Sequence, residues 1–167
     1  EGWYYRMTDP FTQESWVFIA AYWVDDDHRT RAFIELIQSE TGAVYKQVFE
    51  DVDLEMIQDQ AGSVDLQFGQ MRFTPNQIVG SMETDEGETV SIRLDIDGCA
   101  RWGAPEDASN RWTMGWATEF PQIPLRWHVH HLKAFASGYI QTPQGSWDVE
   151  DYPLHQEKNW GRAFPTE

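Results

Sequence analysis

Apolar and polar residues alternate with a period of two along most of the chain, the repeat of a strand whose successive side chains point to opposite faces. Val90, Ile92, Leu94 and Ile96 against Ser91, Arg93 and Asp95 give the cleanest half-buried pattern, and Val64, Leu66 and Phe68 against Asp65 and Gln67 give another. Strands are also expected over 33–38, 44–49 and 78–82. Trp16, Phe18, Ala20 and Tyr22 alternate with Val17, Ile19, Ala21 and Trp23, so both faces of that strand are apolar and a central place in a sheet is expected. Turn signals separate these runs at Asp25-Asp26-Asp27, Thr41-Gly42, Ala61-Gly62-Ser63, Pro75-Asn76, Glu86-Gly87, Asp97-Gly98 and Gln144-Gly145. Residues 49–60 fit a short helix through Phe49, Val52 and Met56, or a strand through Leu54 and Met56. Many short strands joined by turns predict an all-β fold, an antiparallel barrel or a strongly curved sandwich.

Residues 102–125 break the pattern. They carry Trp102, Trp112, Trp116, Pro105, Pro121 and Pro124 with little alternation, which suits either a lid or a packed plug at one end of a barrel. The length of 167 residues fits a single domain over 1–167. Nine Trp, nine Phe and six Tyr concentrate the apolar mass in rings, which suit pleated walls and a pocket for a large apolar ligand. Twelve basic against 28 acidic residues leave a net charge of −16, which excludes a nucleic-acid surface and opposes docking on anionic lipid. The apolar run 17–24 is far shorter than a membrane-spanning helix. One cysteine, Cys99, makes no internal disulfide and leaves the redox compartment open. With Glu1 in place of an initiator Met, both ends read as cut points. The compartment stays open between cytoplasm and membrane periphery.

Three constellations could carry chemistry. In Trp127-His128-Val129-His130-His131, strand geometry puts His128 and His130 on one face and His131 on the other. That arrangement suits hydrogen-bonded core histidines, an acid or base at His128, or two ligands of a metal that lacks its third. In His155-Gln156-Glu157-Lys158-Asn159-Trp160-Gly161, Glu157 and Asn159 share one face, Lys158 and Trp160 the other. A buried Glu can donate a proton near neutrality and a Trp face can stabilise a cation, whereas a surface Glu–Lys pair beside a core Trp needs neither. Glu1-Gly2-Trp3-Tyr4-Tyr5-Arg6 reads as a strand of a barrel wall. The run Asp25-Asp26-Asp27 lacks the ligand spacing of an EF-hand, Cys99 has no activating neighbour in sequence, and no G-x-S-x-G elbow occurs. No cofactor is expected.

Together these segments resemble the tocopherol cyclase family. Glu1-Gly2-Trp3-Tyr4-Tyr5 is similar to its E-G-W-Y-[FY] opening, and Met114-Gly115-Trp116, followed by Pro121 and His128, to its M-G-W…P…Y-H stretch. Glu157-Lys158-Asn159-Trp160-Gly161 with Phe164-Pro165 resembles its E-K-[DN]-W-G-x-x-F-P signature. Arg126-Trp127-His128-Val129-His130 departs from the C-Y-H-G-type run of the family. The resemblance implies a lipocalin-like barrel, related to carotenoid hydratase-type barrels, that forms the N-terminal half of a longer chain and contacts its C-terminal half. It implies closure of a prenylated hydroquinone to a chromanol: an acid protonates an alkene, a tertiary cation forms, and a phenol oxygen attacks it. On that model Glu157 and His128 are the catalytic candidates, and Trp3, Tyr5, Trp116, His130, Asn159 and Trp160 line the ligand. The competing readings are a carrier of an apolar ligand without chemistry and a purely structural half of a larger protein.

Overall fold

The computed structural model describes residues 1–50, 52, 57–60, 63–102 and 112–161. The strands are β1 Gly2–Thr8, β2 Ser15–Val24, β3 Thr30–Gln38, β4 Val44–Phe49, β5 Ile57–Gln60, β6 Ser63–Phe68, β7 Met71–Thr74, β8 Gln77–Glu83, β9 Thr89–Arg101, β10 Leu125–Thr142 and β11 Gly145–Gly161. They form one antiparallel sheet in the order β4-β3-β2-β1-β11-β10-β9-β8-β7-β6-β5. The long hairpin β10–β11 is the middle of the wall. The sheet curls into a nearly closed barrel, as expected of a lipocalin-like fold. Asp85 N–H donates to Lys46 O at 2.9 Å, tying β4 to the turn after β8, and the Tyr45 hydroxyl donates to Thr142 Oγ1 at 3.2 Å.

Period two decides what the barrel encloses. Trp3, Tyr5 and Met7 of β1, Trp16, Phe18 and Ala20 of β2, and Val90, Ile92, Leu94 and Ile96 of β9 are buried, while the residues alternating with them face outward. Rings interlock across the interior: Tyr5 packs on Phe73 at 6.0 Å between centroids, and Trp16 meets Trp147 edge-on at 5.0 Å. The predicted strands over 33–38, 44–49, 64–68, 78–82 and 90–96 are all present.

Two expectations differ from the structure. Asp97-Gly98 is not a turn but lies inside β9, paired with Phe135 and Ala134. Glycine is needed there because a Cβ at position 98 would sit 2.5 Å from His131 Nε2. His131 also does not point away from His128. Register shifts between Val129 and His131, and again before Ala134, mark an irregular stretch of β10, and His128, Val129, His130 and His131 are all buried. A bulge inserts an extra residue and resets the alternation, so His131 turns inward too. Of the ambiguous 49–60 stretch, β4 closes at Phe49 and β5 opens at Ile57; residues 51 and 53–56 lie outside the described residues, as do 103–111 of the Trp/Pro-rich connection, the Phe164-Pro165 pair and the Cys99 side chain.

Candidate functional site

The outward face of β2, Val17, Ile19, Ala21 and Trp23, is apolar and partly to well exposed. Register makes a row there: Trp127 of β10 pairs with Asn159 of β11, Asn159 with Gly2 of β1, Gly2 with Ala21 of β2, and Ala21 with Phe33 of β3. The two smallest residues lie mid-row between larger ones. The result is a groove of about 440 Å³ lined by Gly2, Tyr4, Ile19, Ala21, Trp23 and Phe33, with Glu1, Trp3, Tyr22, Glu157 and Asn159 completing its lining. Trp23 and Phe33 stand 6.2 Å apart as one wall. An apolar groove with a few polar groups at its margin is the usual form of a site for a small apolar ligand.

Glu157 stands at that margin. Its outward orientation follows from parity: Trp3 is inside and pairs with Lys158, so Lys158 is inside and Glu157, opposite Tyr4, is outside. The carboxylate accepts from Asn159 Nδ2 at 3.2 Å through Oε1 and lies 3.4 Å from His155 Nε2 through Oε2. Its side chain is 28% exposed and that of His155 39%.

The inner face of the same strands holds a separate polar cluster. Lys158 Nζ pairs with a Glu1 carboxylate oxygen at 2.7 Å and lies over the rings of Trp3 at 4.9 Å and Trp160 at 5.4 Å. The inward faces of these two rings therefore already hold an ammonium. His131 Nδ1 and Gln156 Oε1 are 2.8 Å apart, both side chains fully buried. Trp3 Nε1 and Gln156 Nε2 are buried without a hydrogen-bond partner among the described residues. His128 stacks edge-on against Trp112 and His130. Thr113 N–H donates to His128 Nδ1 at 3.3 Å, and the Thr113 hydroxyl, which accepts from Val129 N–H at 2.9 Å, faces Nδ1 at 3.2 Å. With Nδ1 accepting, the ring proton sits on Nε2.

The structure thus brings Glu157 and Asn159 to one groove, with Trp3 at its edge, and gathers Tyr5, His128, His130 and Trp160 inside the wall, with Trp3 among them. Trp116 joins neither. It follows Gly115 (φ +56) on a 3-10 turn, Gly115–Glu119, whose buried residue is Thr118, and stands 74% exposed. Tyr4, Ala21, Trp23 and Phe33 were missed as lining residues because β2 reads as a central strand with both faces covered. Gln156 was missed because its partner, His131, was expected on the opposite face. No group of three His, Cys, Asp or Glu among the described residues is arranged to hold a metal.

A family model described as tocopherol cyclase-like matches residues 55–167. The chain is similar to the chloroplastic tocopherol cyclase of Zea mays, 32% identical over 53 residues, which are 32% of this chain and 11% of that protein. The same figures hold for a probable chloroplastic tocopherol cyclase of Oryza sativa subsp. japonica. The match thus spans about a tenth of the length of these curated relatives. No solved structure matches the chain significantly.

Proposed function

The chain belongs to the tocopherol cyclase-like family, and on that premise we propose that it closes a prenylated hydroquinone to a chromanol in the outer groove. The observation that carries this reading is the Glu157 carboxyl at the margin of a mainly apolar groove of about 440 Å³. The prenyl chain lies along Ile19, Ala21, Trp23 and Phe33, with its trisubstituted alkene beside Glu157. Protonated Glu157 gives its proton to the alkene, and a tertiary cation forms. A phenol oxygen attacks that cation, and the phenol proton returns to the Glu157 carboxylate, so the reaction is a net isomerisation. Tyr4 and the Trp23–Phe33 wall offer ring faces to the cation, whereas Trp160 is occupied by Lys158. Asn159 orients the carboxyl. His128, held as an acceptor at Nδ1 inside the wall, positions Trp112 and the 112–114 segment.

A carrier without chemistry is the second reading, favoured by one observation: Asn159 and His155 both engage the carboxylate, so it already has partners within the protein. Chromanol formation from a prenylated hydroquinone separates the two. Glu157→Gln should cut turnover by roughly 10²-fold or more, the range of general-acid loss, while binding measured by Trp fluorescence stays within about twofold. Binding without product in the unaltered protein would leave the carrier reading. Unchanged turnover in the variant would remove Glu157 from the reaction.

A further inference from the structure

The net charge of −16 opposes docking on anionic surfaces, yet one segment departs from that charge. Between residues 112 and 133, Glu119 is the one carboxylate, against Arg126 and Lys133. The same segment carries large apolar side chains in solvent: Trp116 is 74% exposed, Phe120 48% and Trp127 40%. Trp116 and Phe120 pack edge-on at 5.1 Å, so they project as one body. That body is fixed to the barrel wall, since Arg126 donates to Phe120 O at 3.0 Å and Trp127 N–H meets Met114 Sδ at 3.4 Å. Trp127 then continues the outer face through its pairing with Asn159, a lining residue of the groove.

We infer that Trp116, Phe120 and Trp127 form a lip that seats the protein on the interface of an uncharged, zwitterionic lipid bilayer. Rigid aromatic side chains prefer the headgroup level, where the ring is in an apolar layer and its polar edge meets water. Insertion of the lip brings the 112–133 segment, with Glu119 as its one carboxylate, to the membrane. Zwitterionic lipid is the occupant because an anionic surface would repel a body of charge −16 through everything but this segment. The lip lies alongside the groove, so an apolar molecule leaving the bilayer meets Trp127 and then the groove without crossing open water. The inference is independent of any chemistry at Glu157.

The test uses the whole 167-residue chain and two vesicle preparations, pure phosphatidylcholine and phosphatidylcholine mixed with phosphatidylglycerol. Co-sedimentation should show binding to the neutral vesicles and weaker binding to the anionic ones at low salt, the gap closing as salt is added. Brominated lipid should quench part of the Trp emission. The double variant Trp116→Ser, Phe120→Ser should lose roughly tenfold or more of the partition while its urea unfolding midpoint holds, since both side chains are exposed. Glu157→Gln should partition as the unaltered protein does, which keeps this result separate from that of turnover. Absence of binding to neutral vesicles would overturn the inference, and so would equal binding by the double variant. Self-association in sedimentation velocity that the double variant abolishes would overturn it too, by assigning the lip to a second copy of the chain.

Discussion

The absence of a side chain at position 98 decides where His131 goes. A Cβ there would stand 2.5 Å from His131 Nε2, too close for any real contact, so Gly98→Ala must push the ring away from Gln156, its partner at 2.8 Å. Overpacking and a stranded buried amide each cost about 1–3 kcal/mol. Urea unfolding should show a loss in that range, with the midpoint lowered; a neutral Gly98→Ala would mean that His131 has another seat. A second residue-scale effect depends on pH. The Tyr152 hydroxyl donates to Asp9 Oδ2 at 2.9 Å, and burial, aided by that bond, pushes its pKa up to about 12. The folded state therefore favours the neutral phenol. Its contribution is whole below the ordinary phenol value of 10.0, and it is lost as pH rises toward about 12. In an alkaline titration followed by circular dichroism, Tyr152→Phe should flatten the fall in stability over that window. An identical fall in both proteins would sink the assignment.

At the scale of the element, most strands were legible because alternation is a local signal and a barrel wall needs it on nearly every strand. The pattern Val90, Ile92, Leu94, Ile96 appears unaltered as the buried face of β9. Errors arose where tertiary packing overrode local chemistry. Asp-Gly is a strong turn dipeptide, but at 97–98 the glycine was selected by a ring on another strand. A bulge has no composition of its own, so the inward turn of His131 was invisible. The groove was illegible for a third reason. Gly2, Ala21 and Phe33 come from three strands, and only their register makes a hollow of them. That gives the row its own prediction. Ala21→Leu should fill the groove from the centre of the row. Affinity for a prenylated hydroquinone, read by fluorescence titration, should drop by roughly tenfold or more while the unfolding midpoint stays put. Retained affinity would move the ligand elsewhere, with the inner cluster around Gln156 as the next place to look.

At the scale of the molecule, charge and closure act against each other. Twenty-eight acidic residues against twelve basic ones repel across a shell one sheet thick. A cross-strand pair that answers this is exposed: Arg72 and Asp65, 2.8 Å apart, have side chains 55% and 40% accessible, so solvent screens most of their attraction. The hydrogen bonds between Asp85 and β4 at the seam, Asp85 N–H to Lys46 O at 2.9 Å and Val48 N–H to Asp85 Oδ1 at 3.3 Å, must hold against the same repulsion. Added salt screens both the excess charge and the ion pairs, but the excess is spread over the whole surface while exposed pairs such as Arg72–Asp65 are already hydrated. Screening the repulsion therefore wins. The melting temperature should rise steadily between about 0.02 M and 0.5 M NaCl, and amide exchange in β4, next to the seam, should slow more than in β9, deep in the wall. A melting temperature that falls with salt would mean that the ion pairs, not the hydrogen-bonded wall, hold the barrel shut.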